Sequence, residues 1–196
     1  MTGELAERVR RALDRPPTEP LFAGDDPRTP AASPTPAAVL IAITDRPEPG
    51  VILTLRRDDM RTHAGQVAFP GGRIDPGEDS IAAALREAWE ELGLETRLVT
   101  PVAAIDPYLT VTGYAVTPVI GIIPPDLPLE PHEHEVADWF EAPLAFVLDP
   151  ANQRAVEVEY LGRMRTYYQI DWQGRRIWGA TAAMLVNLTR RLEQHG

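Results

Sequence analysis

Residues 72–94 read GRIDPGEDSIAAALREAWEELGL, and no other stretch constrains the chain as strongly. Asp79 or Ser80 offers a side-chain oxygen to cap a helix, and Gly93 supplies the residue that stops one. The spacing therefore predicts a helix over about residues 80–92, entered through a Gly-containing turn. At about 100° per residue, Ile81, Ala84, Leu85, Ala88 and Leu92 fall on one side, while Glu87, Glu90 and Glu91 gather on another. The helix is expected to bury the first face and to present the carboxylates away from it.

Glu87 and Glu91 are four apart, and Glu90 is three from Glu87. Like charges so placed cost an isolated helix roughly a few tenths of a kcal/mol per pair. They also sit in the last turns, where the helix dipole disfavours anions. Nothing structural rewards this arrangement, whereas a divalent cation would. Magnesium and manganese take oxygen ligands, keep several waters and accept substrate phosphates into the shell. Arg86, four residues before Glu90, is expected to hold a carboxylate by a bidentate pair, with Glu78 as a second partner. Gly72 and Gly77 are expected to permit backbone geometry that turns a carbonyl toward the metal. A solvated acidic face would explain an isolated ExxEE cluster. It does not explain the register of every charged position between a Gly-Gly turn and a Gly stop.

In order, the stretch has Gly72, five residues, Glu78, seven residues, Arg86-Glu87-Ala88, Trp89, Glu90-Glu91, Leu92 and Gly93. This resembles the signature box of the Nudix hydrolases at every charged and Gly position; Ala88 stands where a bulkier aliphatic residue is usual. The resemblance, over about residues 37–190, implies an α/β/α sandwich around a mixed, partly barrel-like β-sheet. It also implies that Glu87, Glu90 and Glu91 ligate Mg2+ or Mn2+, with the Gly72 carbonyl as a further ligand. Water would then attack a phosphorus of a nucleoside-diphosphate-linked substrate, with Arg86 and Glu78 supporting the carboxylates.

The residues feeding into the box are Ile52-Leu53-Thr54-Leu55-Arg56-Arg57, then Arg61, Gly65 and Phe69-Pro70-Gly71-Gly72. They resemble the extra motif of the coenzyme A pyrophosphatase branch of the family. Leu53, Thr54, Arg56, Arg61, Gly65 and Phe69 to Gly72 match in register. Ile52 replaces Leu, and Arg57 replaces Ser or Ala. The resemblance implies coenzyme A or an acyl-CoA as substrate, 3′,5′-ADP and 4′-phosphopantetheine as products, and Arg56, Arg61, Phe69 and Gly71 as substrate-binding residues. There is a physical reason as well. Arg56, Arg57, Arg61 and His63 form a basic island in a chain of formal charge −10, and arginine suits phosphate bidentately. Singly, each is better read as an arginine on an exposed strand edge. Motif register lifts Arg56 and Arg61 above that reading, but not Arg57 or His63. Other readings stay open: ADP-ribose, a dinucleoside polyphosphate or a nucleoside triphosphate as substrate, or a non-catalytic nucleotide-binding module.

The rest of the chain is asked what it adds to this unit. The absence of cysteine excludes a disulfide scaffold, a thiolate zinc site and a cysteine nucleophile. The acidic balance disfavours nucleic acid and anionic membranes. No apolar run reaches the roughly 20 residues of a membrane span, and MTGELAERVRRALDR has no apolar signal core. A cytoplasmic location is expected; a homodimer is left open. Residues 3–14 have helical spacing. Residues 16–36 carry seven prolines, a run in which no helix or central strand is expected, so 1–36 is read as a helix plus a Pro-rich arm and 37–196 as the Nudix hydrolase domain. Strands are expected at 37–44, 51–56, 66–69, 98–105, 116–123, 135–140, 155–160 and 166–172, with a loop or short ribbon at 106–113, a helical turn or two at 143–148 and a last helix at about 179–193. The Nudix resemblance further implies a loop glutamate in this region as general base or extra metal ligand, and Glu135 is the candidate. His132 and His134 read as an exposed loop, Trp178 as a packing aromatic, and Arg163, Arg165, Arg175 and Arg176 as a solvated hairpin.

Overall fold

Strand β1 (Thr35–Thr44) is the axis on which the other elements pack. The computed structural model describes residues 2–17, 19–25, 33–57, 65–160 and 162–192. Along β1 the side chains alternate between two apolar layers, as a pleated strand requires. Ala38, Leu40 and Ala42 enter one core cluster, and Ala37, Ile41 and Ile43 enter the other. Both faces of β1 are therefore buried, which is why the segment reads as a continuous apolar run. The strand starts two residues inside the proline-rich stretch, with Thr35 and Pro36 opposite Tyr114 and Ala115. The expectation that no central strand enters that stretch is corrected here; a proline is tolerated at the start of a strand.

Strand β2 (Gly50–Arg56) turns back antiparallel to β1, meeting it at Ile43 and Val51. The two then diverge. Strand β3 (Val67–Ala68) joins β2, and β4 (Gly71–Arg73) joins β1. Strand β5 (Thr100–Ala104) and β6 (Tyr108–Leu109) lie antiparallel to β7 (Tyr114–Ile123), which runs parallel to β1. Strand β8 (Val136–Pro143) covers the other edge of β2. The mixed eight-stranded sheet thus splits and curves without closing into a barrel. A second sheet, β9 (Arg154–Tyr160), β10 (Arg163–Trp172) and β11 (Arg175–Trp178), is antiparallel in the order β11-β10-β9. The sequence pattern gives its hairpin but not β11.

Helix α2 (Ser80–Leu92) buries Ala83, Ala84, Leu85, Ala88 and Leu92 against one face of the main sheet. Helices α1 (Thr2–Leu13) and α4 (Ala180–Leu192) supply Ala6, Val9, Ala182, Leu185 and Leu188 to the other. Helix α3 (Leu144–Val147) is a single turn after β8. The result is the α/β/α arrangement expected from the sequence. The described part of the arm is docked. The backbone N–H and C=O of Phe22 pair with the amide of Asn187 at 2.8 and 2.9 Å, and Asp25 accepts from the Tyr108 hydroxyl and the Val111 N–H, both at 2.7 Å. Among the described residues, no helix is long and apolar enough to cross a membrane.

Candidate active site

The carboxylates of α2 are graded by their position around the helix. The centre of the apolar stripe lies roughly 75° from Glu91, 115° from Glu87 and 175° from Glu90, at 100° per residue. Burial follows that order. Glu91 is 3% exposed, while the side chains of Glu87 and Glu90 are 14% and 47% exposed. The expectation that all three point away from the buried face is corrected for Glu91, which is wedged at the edge of the core.

Local chemistry fixes the helix ends. Asp79 accepts from the Ala82 N–H at 2.8 Å. Gly93 is left-handed at φ 65°, and the N–H groups of Gly93 and Leu94 close on the carbonyls of Trp89 and Ala88. The next loop finishes the job: the Glu130 N–H reaches the Leu92 carbonyl at 2.9 Å, and the His132 N–H reaches the Glu91 carbonyl at 2.8 Å.

Arg86 is the hub of the acidic face. Its guanidinium grips Glu78 in a two-point pair at 2.9 and 3.1 Å. Nη1 donates to Glu87 at 2.9 Å and Glu90 at 3.1 Å, and Nη2 donates to the Arg73 carbonyl at 2.9 Å. The bidentate partner is therefore Glu78; Glu90 receives one bond. Glu78 comes from the turn before the helix, and its two oxygens take the Nε and Nη2 edge of the planar fork. The arginine holds the Glu78 carboxyl below its ordinary range, helped by the Asp75 N–H. It also counters the rise that burial imposes on Glu87.

Glu91 has no such partner. Burial pushes its pKa up to about 8, against the pull of the nearby Arg56 charge and a hydrogen bond from the Gly71 backbone, while Glu87 and Glu135 push it further up. One oxygen, Oε2, is buried with no hydrogen-bond partner among the described residues. A polar atom left so costs free energy unless something arrives to satisfy it.

The two glycines of β4 are required by space. A Cβ on Gly72 would lie 2.5 Å from the Glu87 carboxyl carbon, and one on Gly71 would lie 2.4 Å from the Ala38 carbonyl oxygen. Both sit in a strand paired with β1, so the expected Gly-Gly turn is corrected. Gly77, in the turn before the helix, does use the conformational freedom of glycine, at φ 92°.

Arg56 ends β2 on the α2 side, opposite Val136. Glu135 closes the turn after the 130–132 loop and is exposed, and its charge bears on Glu87 and Glu91. Phe69 is 3% exposed and packs in the cluster beneath the sheet, so its ring backs the site. Arg61 and His63 lie outside the described residues. Trp178 is half-buried with Arg176 4.9 Å above its ring, and Arg175 pairs with Asp138 at 3.2 Å; neither arginine is simply solvated. Two contributors had no signal in the side-chain spacing: the Arg73 carbonyl that orients Arg86, and Arg57, whose guanidinium donates to the Glu133 carbonyl.

A hard divalent cation fits this donor set. The available ligands are carboxylate and carbonyl oxygens, and Glu91 Oε2 is already desolvated and unpaired. Among the described residues, no group of three or more acidic or histidine side chains stands ready-made around a cation.

Comparison with known proteins agrees with this geometry. The family model described as "NUDIX domain" matches residues 34–175. An "Uncharacterized Nudix hydrolase NudL" of Cronobacter sakazakii is 44% identical over 157 residues, which is 80% of this chain and 82% of that one; its counterpart in Shigella boydii serotype 4 is 45% identical over the same length and shares. A crystal structure of the Nudix hydrolase RenU from M. smegmatis is similar, with TM-score 0.51 and 25% identity, covering 65% of this chain and 76% of that one. The arginine-held carboxylates, the glycine strand that makes room for them and these likenesses lead to one assignment: the chain belongs to the Nudix family of hydrolases.

Proposed function

We propose that this Nudix hydrolase cleaves the diphosphate of coenzyme A or of an acyl-CoA, with Mg2+ or Mn2+, yielding 3′,5′-ADP and 4′-phosphopantetheine. The observation that carries the reading is Arg56: a cation in register with the upstream motif, whose charge bears on the buried Glu91. A substrate with a diphosphate and a separate 3′-phosphate needs a basic residue beside the metal carboxylates of an acidic protein.

In this reading Glu87, Glu90 and Glu91 hold the cation, with the Gly72 carbonyl beside them. When bound, it neutralises diphosphate charge and lowers the pKa of coordinated water. The protein's part is positioning. Arg86 fixes Glu87 and Glu90 from one side while Glu78 fixes Arg86. Gly71 holds Glu91 through its N–H. Arg56 draws the diphosphate toward the carboxylates. Glu135, whose charge bears on Glu87 and Glu91, would take the proton from the attacking water. Water adds to one phosphorus, the bridging P–O bond breaks, and the other phosphate leaves with the bridging oxygen.

Incubation with coenzyme A and Mg2+, with products resolved by chromatography, tests the proposal. Release of 3′,5′-ADP supports it; absence of turnover of coenzyme A and its acyl esters overturns it. A second reading, hydrolysis of ADP-ribose or a dinucleoside polyphosphate, draws on Arg57: the side chain that departs from the upstream motif is engaged with the Glu133 carbonyl. Competition among these substrates separates the two, and Arg56→Ala should weaken coenzyme A selectively. A non-catalytic module is disfavoured because a buried, half-satisfied Glu91 burdens folding without return in a pure binder.

A further inference from the structure

We propose that Arg57 is a positioning residue for the reaction: it ties the turn carrying Glu135 to the end of β2 and so sets where that carboxylate stands beside Glu87 and Glu91. The proposal rests on the diphosphate-hydrolysis reading above for its catalytic part and on hydrogen bonds alone for its structural part.

The Glu135 side chain is exposed and makes no hydrogen bond or ion pair among the described residues. Its location is therefore decided by its backbone. That backbone is a tight turn in which the N–H groups of Glu135 and Val136 both reach the His132 carbonyl at 3.0 Å. The turn is held at two points. On the helix side, the His132 N–H donates to the carbonyl of Glu91, the same residue whose carboxylate is buried in the site. On the strand side, the Arg57 guanidinium donates to the Glu133 carbonyl.

The strand side needs such a tie. The register of β2 and β8 slips between Leu55 and Arg56: Leu55 faces Asp138, but Arg56 faces Val136. A slip of this kind interrupts the ladder and lets the strand end turn away. Arg57 follows immediately and adds a side-chain bond across the slip. A charged donor on a backbone carbonyl is a stronger tie than a neutral one. Arg56 and Arg57 thus divide the work: the first faces the carboxylates and the second holds the turn that completes them.

The test uses Arg57→Ala, Arg57→Lys, Glu135→Gln and the double variant Arg57→Ala/Glu135→Gln in the full chain. Hydrogen exchange over residues 130–137 reads the tie without any substrate. Arg57→Ala should speed exchange there about fivefold or more, and lysine, which also supplies a donor, should restore most of the protection. Unchanged exchange in Arg57→Ala overturns the proposal whether or not the protein is a diphosphatase. Kinetics with whichever nucleoside diphosphate derivative the wild type hydrolyses reads the catalytic part. Arg57→Ala should lower kcat about tenfold with KM within about twofold, and should add little to Glu135→Gln in the double variant. Multiplying effects, a rise in KM alone, or faster exchange with unchanged kcat each overturn the positioning role. Failure of the wild type to hydrolyse any such substrate is the separate result that removes the functional reading; the catalytic part falls with it, and the exchange data still decide the tie.

Discussion

Helices α2 and α4 have the same length, 13 residues, and pack on opposite faces of the main sheet. They bury polar groups in opposite ways. Helix α4 is buried without a break from Thr181 to Thr189, and each polar side chain in that run is paired. The Thr181 hydroxyl donates to the Val67 carbonyl at 3.0 Å, Asn187 holds Phe22, and the Thr189 hydroxyl donates to the Leu148 carbonyl at 3.0 Å while accepting from Gln153 at 2.7 Å. Helix α2 buries one polar residue, Glu91, and leaves one of its oxygens unsatisfied. A buried polar group with all its partners specifies a structure. One left open marks the place where the fold was not optimised for itself.

That contrast predicts different failures. The largest effect is expected at Glu91. Glu91→Gln should reduce kcat about 10²–10³-fold with an unaltered circular dichroism spectrum; near-normal turnover would refute the assignment of Glu91 to the metal. Leu185→Ala in α4 should cost about 3 kcal/mol in a urea titration, because Leu185 is fully buried, while leaving kcat per folded molecule unchanged. The two glycines of β4 repeat the comparison within three residues. Gly71→Ala drives a methyl into the β1 backbone and should cost about 2 kcal/mol of stability. Gly72→Ala meets the far end of the Glu87 side chain rather than backbone, so it should spare stability and, by displacing that carboxylate, lower kcat about tenfold. If Gly72→Ala instead unfolds the protein, the cleft is packed like the α4 side and the contrast fails.

A further effect is electrostatic. Glu91 has a folded pKa of about 8 against 4.5 for an ordinary glutamate, so the folded protein binds an extra proton between those values. The stability that protonated Glu91 provides is fully present below pH 4.5 and is lost as pH rises through about 8. Metal-free Glu91→Gln should escape this loss, melting about 10 °C above wild type at pH 8 and close to it at pH 4.5. Because the cation must displace that proton, its affinity for wild type should rise between pH 6 and 8, by at most about tenfold per pH unit. Parallel pH dependence in both proteins would show that Glu91 is ionised throughout.

Much of α2 was legible before folding. Its span, its cap at Asp79 and its stop at Gly93 are local hydrogen-bonding choices that a short window contains. The identity of the acidic cluster and its arginine was legible for the same reason. Both partners of Arg86, Glu90 and Glu78, were legible too, but not their rank: Glu78 takes the two-point pair because the preceding turn swings it over the helix. Strand β4 was hidden because Gly71-Gly72 reads as a turn, and its extended form comes from pairing with β1. Strand β11 and the docking of Phe22 on Asn187, 165 residues away, leave no periodic trace at all.

The sequence by itself determined the chemistry on offer: hard oxygen ligands on one helix, an arginine among them, and a basic strand leading in. These follow from residue type and short spacing, which do not depend on how the chain closes. Only the tertiary structure decided how each group behaves. It buried Glu91 and raised its pKa, exposed Glu90, spent Phe69 on the core and set Arg57 on the Glu133 carbonyl. Burial and partnership are properties of what lies opposite a residue, and the elements opposite α2 include β1, β2 and the 130–135 loop, which no window around the helix contains.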